Sequence, residues 1–230
     1  ANYYSLENSM QIVIPAGSVS GGIEVQLNDA FFNDPRSVEN TYVIPVRIES
    51  VSHADSVLRG QELLPDANLF IPADWAVEPK DYTLYCIKYI NPWHGSYLRR
   101  GIDVGVGAGG NTALDTTIIL HNEFVERDQV VKLSTVSMTE VTLPLIARNA
   151  DDLTDIPFEL KISFDETGNC LVSAIEDAPY SASGTGSFVT DGDSWGGEER
   201  DVLYLNYEVD FGISIHTFTD TLVLRDRTVT

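Results

Sequence analysis

Two segments concentrate the side chains that could do chemistry. Asn91-Pro92-Trp93-His94-Gly95-Ser96-Tyr97-Leu98-Arg99-Arg100 sets Trp93, His94 and Tyr97 beside two guanidinium groups, Arg99 and Arg100. Asp191-Gly192-Asp193-Ser194-Trp195-Gly196-Gly197 sets Trp195 among glycines and acids, Asp193 included. A sugar ring offers an apolar face to an aromatic platform and hydroxyls to carboxylates, amides and guanidinium groups. Both segments hold that mixture. Trp93, His94, Tyr97, Arg99, Arg100, Asp193 and Trp195 are therefore the candidate ligand-binding residues. The plainer reading is that Trp93 and Trp195 plug the ends of a core.

Other chemistries find less support. Asp191, Asp193, Glu198, Glu199 and Asp201 crowd one stretch, and a glycoside hydrolase needs two carboxylates about 5 to 9.5 Å apart across a cleft. In so acidic a chain such a cluster is more often a solvated turn. Asp191-Gly192-Asp193-Ser194 lacks the full spacing and distal Glu of a calcium loop. His53, His94, His121 and His216 form no zinc-type pair, and no G-x-S-x-G elbow is present. Gly105-Val106-Gly107-Ala108-Gly109-Gly110 matches dinucleotide spacing. The chain then runs into Thr116-Thr117-Ile118-Ile119, which reads as strand, whereas the motif needs a helix N-terminus there; the stretch is read as a glycine-rich loop. The expectation is no catalytic residue, no metal and no cofactor.

Net charge is −21, from 35 acidic and 14 basic residues. That balance repels phosphate backbones and anionic membrane surfaces, so nucleic acid is not an expected partner. A hydrophobic fraction of 43% suits a chain that buries a core. No stretch approaches the roughly 18 apolar residues of a membrane span, so the chain is expected to be soluble. Ala1-Asn2-Tyr3-Tyr4 has no basic or apolar region, so any secretion signal is expected to have been removed. Cys86 and Cys170 could pair outside the cell, but each lies in an apolar segment where a free thiol behaves as a small hydrophobe.

Period-two alternation dictates the elements that must position these residues. Met10, Ile12 and Ile14, then Ile23, Val25 and Leu27, then Tyr42, Ile44, Val46 and Ile48 read as short strands. Pro45 marks the last of these as an edge or a bulge. Ile71-Pro72 to Pro79-Lys80 breaks the pattern and reads as an inter-domain connection. Residues 1–75 are expected to form a small immunoglobulin-like β-sandwich. Longer strands come next: residues 82–90, 97–106, 116–121, a long run over 130–147, 158–164, 170–175, 203–209 and a final strand ending at 221–225. Asp165-Glu166-Thr167-Gly168-Asn169 and Asp210-Phe211-Gly212 read as turns. About eight strands in sequence close most simply as an antiparallel up-and-down barrel over residues 76–230; a second sandwich is the alternative. Helix should be scarce, and the fold class is all-β.

The chain also resembles a known family. Ile14-Pro15-Ala16-Gly17-Ser18, Val25-Gln26-Leu27-Asn28-Asp29-Ala30 and Tyr42-Val43-Ile44-Pro45-Val46-Arg47-Ile48 are similar to an adhesin-like, immunoglobulin-type module found in surface lipoproteins of gut bacteria. Asp81-Tyr82-Thr83-Leu84-Tyr85 to Arg100-Gly101, Gly184-Thr185-Gly186, Asp193-Ser194-Trp195-Gly196-Gly197 and Asp220-Thr221-Leu222-Val223-Leu224-Arg225-Asp226 resemble the lipocalin-like barrel often joined to it. The resemblance implies a secreted, lipid-anchored protein of the outer cell surface, associated with polysaccharide utilisation, that binds or adheres to a glycan or another cell-surface ligand. Membrane attachment would come only through an N-terminal lipid anchor missing from this chain. It supplies no catalytic residues. The chain is thus read as a binding module rather than an enzyme. The alternatives are a glycosidase, or hydrolase accessory, with carboxylates near Asp193 and Glu199, and a structural subunit among the proteins of a surface complex.

Overall fold

A computed structural model describes residues 3–6, 11–150 and 155–227. The chain is all-β and divides into two compact units, residues 1–89 and 90–230. Ala1, Asn2 and Met10 lie outside the described residues.

The first unit contains three two-stranded antiparallel sheets among its described residues. β1 (Tyr4–Leu6) pairs with β2 (Val25–Leu27), β3 (Tyr42–Arg47) with β6 (Tyr82–Ile87), and β4 (Gln61–Glu62) with β5 (Trp75–Val77). Ile12 and Ile14 are exposed and form no strand. A carboxylate ties the unit together: Asp34 accepts from the Tyr3 hydroxyl at 2.8 Å, from Tyr42, and from Arg36 at 2.9 Å. These donors hold the Asp34 carboxyl well below its ordinary value, Arg36 contributing most.

Because β6 pairs with β3, the stretch read from the sequence as the first barrel strand belongs to the first unit. The unit boundary falls after Tyr89, not at residue 75. Alternation alone could not decide this, since a strand pattern does not name its partner.

The second unit is a closed eight-stranded antiparallel barrel. Its wall runs β7 (Gly95–Gly107), β9 (Gln129–Thr135), β10 (Glu140–Arg148), β11 (Asp155–Phe164), β12 (Asn169–Ala174), β13 (Ser181–Trp195), β14 (Glu198–Asp210) and β15 (Ser214–Asp226), and β15 pairs back onto β7. β8 (Thr116–Leu120) extends the wall beside the second half of β7. The expected run over 130–147 is two strands, β9 and β10, because its alternation continues across the turn at residues 136–139. The turns at Asp165 and Asp210 form as expected. The Asp165 side chain accepts from Thr167 N at 2.8 Å and Asn169 N at 3.0 Å, and that of Asp210 from Gly212 N at 2.7 Å.

Inward positions fill the barrel. Leu133, Val141, Leu143, Leu160, Ile162, Leu203, Leu205, Phe218 and Leu222 are fully buried in one cluster. The interior is therefore occupied by side chains, as barrels of eight strands often are. Gly184 and Gly186 on β13 face Tyr207 and Leu205 across the ladder, where a Cβ would collide with them. Cys170 packs against Gly186, and burial pushes its thiol up to about 12. Both cysteines are free, Cys86 exposed and Cys170 buried.

The closing ladder, β7 against β15, carries charge inside. Arg99 lies 2.9 Å from Asp220, which also accepts from the Tyr207 hydroxyl at 2.7 Å. Asp103 lies 2.8 Å from Nδ1 of His216, whose Nε2 is 3.1 Å from Asn149 Oδ1. Each pair is diagonal across the ladder, and a glycine stands directly opposite the β15 member: Gly101 faces Asp220 and Gly105 faces His216. A Cβ at Gly101 would collide with Asp220 Oδ1 and the Thr219 carbonyl; one at Gly105 would come within 2.7 Å of the His216 ring. The motif first weighed as a nucleotide loop is partly this wall.

Prolines punctuate the ladders. Ile48 N donates to Asp81 O, which continues the β3–β6 register. Even-numbered residues of β3 therefore bond to β6, and odd ones, Pro45 included, point outward. By the same logic Phe164 N to Thr139 O sets the β10–β11 ladder, so Pro144 faces β9 and Pro157 faces β12. The β9–β10 register reaches Thr142 and goes no further. Every one of these prolines lacks its N–H on an unpaired edge, where proline is tolerated.

Breaking the buried pair from one side leaves an uncompensated charge, so Arg99→Met should destabilise the barrel by about 3–5 kcal/mol in denaturant unfolding. Arg99→Met with Asp220→Asn should cost clearly less than the sum of the two single changes. A thiol reagent at pH 8 should titrate one cysteine in the native chain, Cys86, and both only after denaturation.

Candidate functional site

The seven residues singled out from the sequence separate into an interior group and a surface group. His94 and Tyr97 are buried at the mouth of β7. His94 Nδ1 accepts from Thr135 N at 3.1 Å, and the Tyr97 hydroxyl donates to Trp93 O at 2.8 Å. Arg99 is 1% exposed and committed to Asp220. Trp93 is half-buried and stacks on Phe164, with ring centroids 4.1 Å apart and planes 5° from parallel. Arg100 points outward to the buried carboxylate of Asp128, and donates to Asn122 O at 3.3 Å. Four residues read as ligand contacts, Trp93, His94, Tyr97 and Arg99, thus pack or bond within the protein. Burial and internal hydrogen bonding account for each of them.

Asp193 and Trp195 lie elsewhere in character. The segment that bears them is the outer half of a long hairpin, β13 with β14, turned by Gly196 and Gly197. Both glycines have positive φ, 65° and 80°, as a two-residue hairpin turn of this kind requires. The ladder shifts register between Val189 and Asp193. Asp191 takes a positive φ of 52° at this bulge and donates its N–H to Asp201 at 3.3 Å. Such a bulge bends the strand and re-aims the residues beyond it. The Tyr204 hydroxyl donates to Gly192 O at 3.2 Å, and Arg227 bonds Asp201 at 2.7 Å, which fixes the root of the ribbon.

Register assigns the faces. Asp193 pairs with Arg200, Ser194 with Glu199 and Trp195 with Glu198. Alternation then puts Asp193, Trp195, Glu198 and Arg200 on one face and Glu199 on the other. Arg200 lies 5.1 Å over the Trp195 ring and 2.6 Å from Glu198. One face therefore joins a half-buried indole, a guanidinium held against it, and two exposed carboxylates. The pair weighed for glycoside hydrolysis, Asp193 and Glu199, faces opposite ways. Among the described residues no group of three or more His, Cys, Asp or Glu is placed to hold a metal ion.

Sequence reasoning missed the ribbon because β13 is rich in Gly and Asp, which are depleted in strands, and in Ser, which is common in turns. The signal was its alternation, with Ala182, Gly184, Gly186 and Phe188 on the inner face. It also missed Asp103, Asn149, His216 and Asp220, since no local motif joins residues so far apart.

The fold defines a class: a closed eight-stranded antiparallel barrel preceded by a unit of small sheets. Residues 92–228 match the family described as Domain of unknown function (DUF5627), and the chain belongs to that family. Residues 1–55 match a model described as an N-terminal domain. A crystal structure of a protein of unknown function from Bacteroides ovatus is 41% identical, with a TM-score of 0.87; the match covers 99% of this chain and 71% of that one. An auxiliary nutrient binding protein from Bacteroides thetaiotaomicron VPI-5482 is 14% identical, with a TM-score of 0.45, over 96% of this chain and 67% of that one. No curated protein matches the sequence.

If Trp93 serves packing, Trp93→Ala should lower barrel stability by about 2–3 kcal/mol in denaturant melts, as expected for an aromatic lost from a core boundary. A change in ligand binding with stability intact would contradict the packing role.

Proposed function

We propose that this is a non-catalytic, cell-surface glycan-binding or adhesion protein, secreted and lipid-anchored in its precursor. Its binding surface is the Trp195 face of the β13–β14 ribbon. The observation that carries the reading is the joint placement of Trp195, Arg200, Asp193 and Glu198 on one face of that ribbon. An indole offers a platform for the apolar face of a pyranose. Arg200 and the two carboxylates offer donors and acceptors for its hydroxyls. The filled barrel interior supports the same reading, because a packed core leaves the outer surface for recognition. In this reading the first unit acts as an immunoglobulin-like spacer and the barrel as the rigid base. The surface location and the link to polysaccharide utilisation rest on family resemblance.

A glycan array probed with the purified chain should give saturable hits. Trp195→Ala should weaken them by about tenfold or more, the order of one lost stacking contact with its neighbours. Glu199→Gln, on the opposite face, should leave them unchanged. Hits that survive Trp195→Ala would remove the ribbon from the site, and sugar release abolished by Glu199→Gln would make the protein an enzyme.

A further inference from the structure

In the first unit, the β3–β6 pair has two outer edges of opposite character. On β3 the outward-pointing positions are Val43, Pro45 and Arg47, so the proline removes the central N–H of that edge. On β6 they are Tyr82, Leu84 and Cys86, each with its N–H, and among the described residues no backbone partner meets them there. β10 and β11 show the protected pattern again, with Pro144 and Pro157. The Tyr180 hydroxyl adds to it by accepting from Glu159 N at 2.7 Å and donating to Glu159 O at 2.9 Å. Natural sheets blunt free edges in such ways. The edge of β6 carries none of these devices.

The side chains around that edge are also uncovered. Val43 is 47% exposed, Leu84 45% and Tyr85 58%. Among the described residues of this unit the buried apolar side chains are Phe31, Ile44 and Pro79. So little burial leaves a unit of this size short of the apolar area that offsets chain entropy. An added strand would supply both hydrogen bonds and cover.

Charge says what kind of strand. From Lys80 to Lys88 the one carboxylate is Asp81, which is buried and already bonded to Arg47 and Arg59, each at 3.0 Å. Those two arginines remain about half exposed, at 51% and 47%. β6 therefore has cations at both ends and an uncharged middle, within a chain whose net charge is −21. We propose that the outer edge of β6 accepts, by β-strand addition, an extended peptide segment of a partner protein with an apolar, β-branched centre and carboxylates at its ends.

The test uses the full chain and a synthetic peptide, Asp-Val-Thr-Val-Thr-Val-Asp, with binding measured by calorimetry. The proposal expects saturable one-to-one binding that weakens with added salt. N-methylation of alternate backbone nitrogens in the peptide should weaken it by about tenfold or more, and so should replacing both Asp by Lys. Leu84→Pro should abolish it, because the Leu84 N–H takes no part in the β3–β6 ladder and is the group offered to the new strand. The N-methylated peptide keeps the test valid should that variant unfold. No saturable binding, or equal binding of the N-methylated or Lys-ended peptides, would overturn the proposal. So would a dimer in solution that Leu84→Pro dissociates, since the edge would then belong to a second copy.

Discussion

The barrel depends on closing β7 against β15 with charged side chains inside. Arg99 and Asp220 are nearly inaccessible to water, and taking two charges out of water costs several kcal/mol each before their attraction is counted. The geometry offsets part of this by pairing the charges locally, although Asp220 Oδ1 and Arg99 Nε take no hydrogen bond. Asp220 has Arg99 and the Tyr207 hydroxyl; Asp103 has His216, and His216 has Asn149. Burial still pushes the Asp220 carboxyl above its ordinary value, against the pull of Arg99 and Tyr207. A slip of one residue by either strand would turn that strand's members of these pairs outward and part them from their partners on the other. The pairs therefore specify register at the one ladder joining the first and last strands of the barrel wall.

The rest of the barrel depends on that register. With β7 and β15 fixed, Phe218 stacks on Tyr207 with centroids 4.8 Å apart, and Arg99 lies 5.6 Å over the Phe218 ring. Gly101 and Gly105, and Gly184 and Gly186 on the far side of β14, leave space for these large groups. The result is a wall around side chains rather than a container. The bulge at Val189–Asp193 re-aims the ribbon that bears Trp195, the face proposed for recognition.

Much of this architecture was legible in the sequence. The all-β class and the barrel were read from alternation. The turns at Asp165 and Asp210 announced themselves by side chains that accept from the backbone two residues on. Pro45 was expected to mark an edge or a bulge, and it lies at an edge. The limits lay where the sequence is silent on partners. Tyr82–Ile87 looks like any strand, and only its pairing with Tyr42–Arg47 assigns it to the first unit. The candidate site was half legible. Trp195 and Asp193 were picked out, but not as strand, because Gly and Asp hide one. Tyr97 and Arg99 were read as candidate ligand contacts beside Trp93 and His94. Yet Tyr97, Arg99, Gly101, Asp103, Gly105 and Gly107 share one parity, a sign of a single face. A charge among glycines on that face needed its β15 partners, more than a hundred residues away, before it could be recognised as core.

Native-state hydrogen exchange read by mass spectrometry tests the central role of the seam most directly. Residues 97–105 and 214–222 should exchange together, and only through global unfolding of the barrel, so that their opening free energy equals the value from denaturant melts. If either segment exchanges in a separate, lower-energy step while β10 and β11 stay protected, the closing ladder is not the constraint on which the barrel depends.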